Sequence, residues 1–349
     1  MNTPSVLFGF FPPSDELLAR AYDTAGAFHD KAPWQDLTDS DLFGVLDPVS
    51  GVTGYCCVLG QAGMQYGMAV YLGSGGLAGY RRMCEGGDPH VALFETECLM
   101  LSFEDRANID RQDRETVSRL GLTLCDRHSW PQFRRYRPGY LPWRPSSDDL
   151  GFLVTCMEQA LALAGDGSAL ESIAGSGCGD RFLVREPKDG AWTSVSRPGE
   201  PFDPPRPGPF EPDDLTLHAI SRKPVRAGQV WEAGLVWLPT TIMETEPPYF
   251  PRMAIVADLL TGTIVASEIF ARDSDHHDGF CRALITALRT AGKKPQELFL
   301  EDPVLADMLE GFCLQAGIRL QFADSLPLVG TVGADLAQFM QGKGQAVSR

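Results

Sequence analysis

The stretch M-A-I-V-A-D-L-L-T-G-T-I-V-A-S-E-I-F, residues 253–270, holds two apolar runs around a Thr-Gly turn. β-Branched residues and short apolar runs on both sides of such a turn predict a β-hairpin, Met253–Asp258 and Thr263–Phe270. Working outward, Val230–Trp237 is predicted as a preceding strand. Downstream, Phe280, Leu284, Ala287, Leu288 and Ala291 recur at helical spacing from a start near Asp275. Gly292 and Pro295 stop this helix, and Lys293 and Lys294 are expected beside its negative end. Leu298–Glu301 follows as a strand. Asp302 and Pro303 then form a strong helix start, with Leu305, Met308, Leu309, Phe312 and Ala316 as its apolar stripe up to Gly317. Ile318–Phe322 is the last strand, before a short helix near Ala334. The order is βββαβαβ, an α/β domain with a mixed sheet.

Upstream, Ser14 is a natural N-cap for a helix carrying Leu18, Ala21, Tyr22, Ala25 and Phe28. Leu42–Leu46, Tyr55–Leu59 and Tyr66–Leu72 read as strands joined by turns, with further strand expected at Val91–Phe94 and Cys98–Phe103. Ser146 and Ser147 open a helix with Leu150, Leu153, Val154, Met157, Ala160, Leu161 and Ala164 on one stripe, ended by Gly165. Arg181–Val195 reads as a hairpin around P-K-D-G. Residues 197–212, R-P-G-E-P-F-D-P-P-R-P-G-P-F-E-P, cannot pack a core and are expected to be extended. The expected organisation is an N-terminal α+β domain with an antiparallel sheet (1–175), a hairpin and Pro-rich linker (176–214), and the C-terminal α/β domain (215–349).

Composition narrows the function. A formal net charge of −16 over 349 residues repels phosphate backbones, so nucleic acid is not an expected partner of the whole chain. Nine cysteines, an odd number without a C-x-x-C pair, suit reduced thiols. No run approaches the ~20 apolar residues of a membrane span. The opening M-N-T-P-S-V-L-F-G-F-F-P-P lacks the basic start and apolar length of a secretory signal. A cytoplasmic location and no cofactor are expected.

Several stretches resemble a family of uncharacterised bacterial proteins with paired domains of unknown function. They are D-S-D-L-F-G-V-L-D-P (39–48), G-Y-C-C-V-L-G (54–60), A-V-Y-L-G (69–73), C-L-M-L-S-F-E-D-R (98–106), F-R-R-Y-R-P-G-Y-L-P-W (133–143) and P-P-Y-F-P-R-M (247–253). The resemblance spans nearly the whole chain and implies an architecture without an activity. The C-terminal element order also resembles a ribonuclease-H-like domain.

That second resemblance raises divalent-metal nuclease or phosphoesterase chemistry, which gathers carboxylates around two cations. Asp258 and Asp302, each at a strand end, are the catalytic candidates. Alternating strand directions place them at opposite edges of the sheet, and both suit local roles as hairpin shoulder and helix N-cap. In D-S-D-H-H-D (273–278), Asp275, His276 and His277 are candidate metal ligands, although successive helix residues do not share a face. G-S-G-G-L-A (73–78) fits a dinucleotide fingerprint, with Glu95 about 20 residues on, but follows an antiparallel strand rather than opening a βαβ unit.

The best-motivated surface is H-S-W-P-Q-F-R-R-Y-R-P-G-Y-L-P-W-R (128–144). Arg134, Arg135 and Arg137 alternate with Trp130, Tyr136, Tyr140 and Trp143, and Arg127 and Arg144 flank them. Guanidinium forks grip anions and aromatic faces stack planar or cationic groups, so a small anionic ligand or a protein partner is expected there. The same residues also suit a structural loop, its arginines paired with acids such as Asp36, Asp39, Asp41 or Asp47. Cys125, beside Arg127 and His128, is the one thiol whose neighbours favour the thiolate. The leading expectation is a non-catalytic binding or regulatory protein.

Overall fold

The computed structural model of the chain describes residues 11–86, 94–124, 129–203, 206–270 and 275–346. Residues 91–93 of the strand expected at Val91–Phe94, the Asp273 and Ser274 of the His-rich run, and Cys125, Arg127 and His128 lie outside them; Phe94 itself is helical. Two compact units are present, Met1–Asp203 and Pro204–Arg349.

In the first unit, β1 (Leu42–Leu46), β2 (Thr53–Leu59), β3 (Tyr66–Leu72), β4 (Cys98–Glu104) and β5 (Trp130–Tyr136) form an antiparallel meander. The hairpin β6 (Arg181–Lys188) and β7 (Ala191–Pro198) adds to β1, giving the order β5-β4-β3-β2-β1-β6-β7. The β1–β6 contact is parallel, so the sheet is mixed rather than antiparallel throughout. The hairpin that the sequence reading grouped with the linker is thus hydrogen-bonded into this sheet.

Both faces of the sheet are covered, which is why β1–β3 are apolar at nearly every position. On one face α1 (Asp15–Lys31) and α4 (Ser147–Leu163) place Ala21, Phe28, Leu153 and Met157 over Phe43, Cys56, Met68 and Val70. On the other, α2 (Gly73–Cys84) places Leu77 and Tyr80 over Leu42, Tyr55 and Tyr71. Two shorter helices, α3 (Arg111–Arg119) and α5 (Gly167–Ile173), complete the unit. Gly67 has φ +152°, and a Cβ there would lie 2.0 Å from the Leu101 carbonyl oxygen. Only glycine lets β3 and β4 approach at that point.

The second unit has α6 (Asp214–Ser221), β8 (Val230–Trp237), β9 (Arg252–Asp258), β10 (Thr263–Phe270), α7 (His276–Thr290), β11 (Glu297–Leu300), α8 (Pro303–Ala316), β12 (Arg319–Phe322) and α9 (Pro327–Ala346). The βββαβαβ order read from the sequence is the observed one. The sheet order is β10-β9-β8-β11-β12; β9 runs antiparallel to both neighbours, and β8, β11 and β12 are mutually parallel. α7 and α8 cover one face, with Phe280, Leu284, Leu309 and Phe312 against Trp231, Val256 and Leu300. The start of α9 covers the other, with Leu326 and Val329 against Leu238, Ile255 and Ala257.

The expected lysine caps are distributed differently. Lys223, from the far side of α6, donates Nζ to the Arg289 carbonyl (2.7 Å) at the end of α7. Buried Lys294 instead joins the ends of α6 and α8 through the carbonyls of Ser221 (2.7 Å) and Ala316. Helix C-termini carry partial negative charge, so one ammonium serves two of them.

Candidate functional site

The Arg/aromatic segment forms edge strand β5 and the loop that returns along it; Arg135 and Trp143 bridge backbone to backbone. Its arginines reach carboxylates that stabilise helix starts. Asp110 is the N-cap of α3 and Asp113 lies in its first turn. Arg134 pairs with both, at 2.8 Å to Asp110, and Arg144 lies 2.9 Å from Asp110 and 3.7 Å from Asp113. Arg135 contacts Glu97 at 2.8 Å and Asp149 at 3.5 Å, and Arg137 stands 3.7 Å from Asp149. Asp149 is the capping-box acid of α4. Arg134, Arg135, Arg137 and Arg144 thus face Glu97, Asp110, Asp113 and Asp149, four charges against four. Asp41 and Asp47, two of the partners suggested by sequence, bind backbone N–H groups of their own turns and of Gly175.

The aromatic residues of the segment are placed inward or along it. Trp130 is buried, with the Arg106 guanidinium 5.7 Å from its ring centre. Trp143 lies under Arg144 at 5.3 Å. Tyr136 and Tyr140 are half-buried, and burial raises the Tyr136 pKa.

In the second unit the two catalytic candidates are not brought together. Asp258 and Leu298 are both level with Trp231, and Asp302 lies four residues beyond Leu298. That separates the carboxylates by about 13 Å along the strands, with two strand spacings across, far more than the ~4 Å spacing of a two-metal site. Buried Asp258 accepts the Gln229 side-chain amide at 2.6 Å and the Leu260 N–H at 2.9 Å. Asp302 caps α8 through Val304 N–H at 2.8 Å. Asp275 caps α7 through the N–H groups of His277 and Asp278, and the His276 ring lies against Phe270 and Trp237. His276 and His277 are successive helical residues and diverge. Among the described residues no group of three or more His, Cys, Asp or Glu is arranged to hold a metal ion.

Glu232, on β8, is a further buried carboxylate. Its Oε2 accepts the N–H groups of Leu328 (2.8 Å) and Val329 (3.0 Å) at the start of α9. Glu301, at the end of the neighbouring strand, has its pKa raised by burial and by the charges of Asp302 and Glu232, against the opposing Leu326 N–H.

The glycine run at 73–78 opens a helix, α2. The strand before it is an interior antiparallel one, and the protein's own groups lie against the glycines. A Cβ at Gly75 would meet Phe202 at 3.4 Å and Glu97 Oε2 at 3.7 Å, and one at Gly73 would lie 3.9 Å from Glu200 Oε2.

Beside this helix start is a cavity of about 270 Å³ that sequence reasoning missed. Thr53, Tyr55 and Val184 form its buried part, with half-buried Leu46 beside them, and Arg197 and Glu200 stand at its exposed rim. Leu46, Thr53, Tyr55 and Val184 come from β1, β2 and β6, so the β1–β6 pairing creates the site. The Tyr55 hydroxyl accepts the Glu200 backbone N–H at 3.1 Å. Its pKa is raised by burial and by the nearby Glu200 charge, so it remains a hydrogen-bond donor at neutral pH. Arg197 is held in an ion pair with Glu186.

The two units thus define a tandem of α/β-type domains with mixed sheets, in which Asp258, Asp275, Asp302, Arg134, Arg135, Arg137 and Arg144 meet the protein's own groups. Residues 19–185 match the family model described as Domain of unknown function (DUF7309), and residues 216–337 match the one described as Domain of unknown function (DUF6930). The chain is a tandem of these two domains of unknown function. No curated protein matches it. No helix among the described residues is long and apolar enough to cross a membrane.

Proposed function

We propose that the chain is a non-catalytic cytoplasmic binding protein whose N-terminal unit takes a small molecule into the cavity at Tyr55. One observation carries this reading: an apolar floor with a buried phenol and hydroxyl, opening between one cation and one anion. Pockets with a few placed polar groups on an apolar wall hold and orient a small ligand. In this reading the ribonuclease-H-like element order of the second unit serves as scaffold. Asp258, Asp302 and Asp275 act as turn and helix caps rather than as metal ligands. Arg134, Arg135 and Arg144 hold the β5 edge, and an anion would have to displace their carboxylates. Arg137, 41% exposed and 3.7 Å from Asp149, is the member of the segment most open to a partner.

The test is amide chemical-shift mapping of the full chain with a library of small amphipathic fragments. Shifts gathered on Thr53, Tyr55 and Val184, and lost in Leu46→Trp, support the reading. Fragments that bind only at Arg134–Trp143, or manganese-dependent cleavage of a phosphodiester that stops with Asp302→Asn, overturn it.

A further inference from the structure

The rim charges of the cavity are unequal in what they can still do. The Arg197 guanidinium is engaged by Glu186, whose side chain is itself largely covered. The Glu200 carboxylate stands at the same opening, and no ion pair to it is found among the described residues. The N-terminal end of α2 is nearby, since Glu200 Oε2 lies 3.9 Å from where a Gly73 Cβ would be. Arg81, whose charge also reaches Tyr55, is paired with Asp180 at 3.9 Å, and Arg197 with Glu186, so the two pairs cancel and the Glu200 charge is left for a ligand to meet.

The rest of the molecule pulls the same way. A chain at −16 concentrates cations around itself and repels anions. Inside the cavity, Leu46 and Val184 offer aliphatic contact, and the Tyr55 and Thr53 hydroxyls provide further polar contacts next to the carboxylate.

We propose that the cavity selects a small primary amine with a branched aliphatic or similarly apolar body, its ammonium group held by Glu200 and its body on Leu46 and Val184. This deepens the reading above and rests on it. A charge-assisted hydrogen bond to an ammonium contributes more than a neutral one at the same place, and the surplus sets the selectivity.

The experiment uses the full chain and three probes of one shape: 3-methylbutylamine, 3-methylbutanol and 3-methylbutanoate. Titration calorimetry gives their affinities, and amide shifts locate them. The expected result is that the amine binds about tenfold more tightly than the alcohol, and the carboxylate more weakly than both. Glu200→Gln brings amine and alcohol to equal affinity, while Arg197→Ala leaves the amine's advantage in place. Glu200 donates to Tyr55 through its backbone, so the glutamine variant keeps that bond. An alcohol that equals the amine, or a carboxylate that exceeds it, with shifts still at Tyr55, overturns the amine assignment and leaves the cavity reading standing. Failure of every fragment to shift Tyr55 overturns both.

Discussion

Glu232 Oε2 accepts the backbone N–H of Leu328 at 2.8 Å, so a side chain from the middle of the second sheet closes the first turn of the last helix. The Val329 N–H adds a second bond at 3.0 Å. Removing this buried acceptor leaves two helix donors unsatisfied. Glu232→Ala is expected to cost about 3 kcal/mol, and Glu232→Gln, which keeps one acceptor oxygen, about half as much. Urea unfolding followed by circular dichroism measures both; equal losses would deny the acceptor role.

Arg134 and Asp113 are nearly buried partners, with side chains 12% and 13% exposed. Removing Arg134 leaves the covered Asp113 carboxylate with Arg144, at 3.7 Å, as its one ion-pair partner among the described residues. Arg134→Ala is expected to lose ~3 kcal/mol, with the Arg134→Ala/Asp113→Ala double variant losing much less than the sum of the single ones. A thermodynamic cycle from chemical unfolding reads the coupling.

Acid sensitivity follows from Asp110. Partial burial pushes its carboxyl upward, but the Asp113 N–H and the guanidinium groups of Arg144 and Arg134 outweigh it and hold the pKa below the ordinary aspartate value. The folded state therefore binds its proton less readily than the unfolded chain. Its stabilisation is complete at neutral pH and disappears as pH falls through the lowered folded value. The Tm gap between the natural chain and Asp110→Asn should be constant from pH 6 to 7 and close below about pH 4.

Glu301 has the opposite sign. Burial, with Asp302 and Glu232 close by, raises its pKa, so the folded state keeps this proton to higher pH than the unfolded chain does. Stability is then lost as pH rises from the ordinary glutamate value through the folded one. Glu301→Gln should be more stable than the natural chain at pH 7 and equal to it at pH 4, measured by Tm across that range.

How much of this was legible follows from where the signals lie. The hairpin at 253–270 and the helix beginning at Asp302-Pro303 are encoded locally, by turn chemistry and apolar spacing, and both are found. α3, R-Q-D-R-E-T-V-S-R, has Val117 as its one buried residue, so no apolar stripe announces it; Asp110 before it was the available signal. α2 begins in glycines, which composition assigns to a turn, and is held instead by packing of Leu77 and Tyr80. The partners of the arginines were hidden for a different reason. Arg134 meets Asp110 and Asp113 only because β5 lies at the sheet edge beside α3, a fact of topology that no local pattern carries. The cavity has the same origin, since Tyr55 and Val184 are 129 positions apart.

The parallel seam between β1 and β6 also bears on how the chain is made. β1 to β5 are synthesised in order and can zip as a meander of neighbours. β1 must then wait, its outer hydrogen-bonding groups bare, until residues 181–188 leave the ribosome. A nascent chain arrested in that interval offers an unshielded strand to any other polypeptide nearby, and the arrival of β6 is what withdraws the invitation.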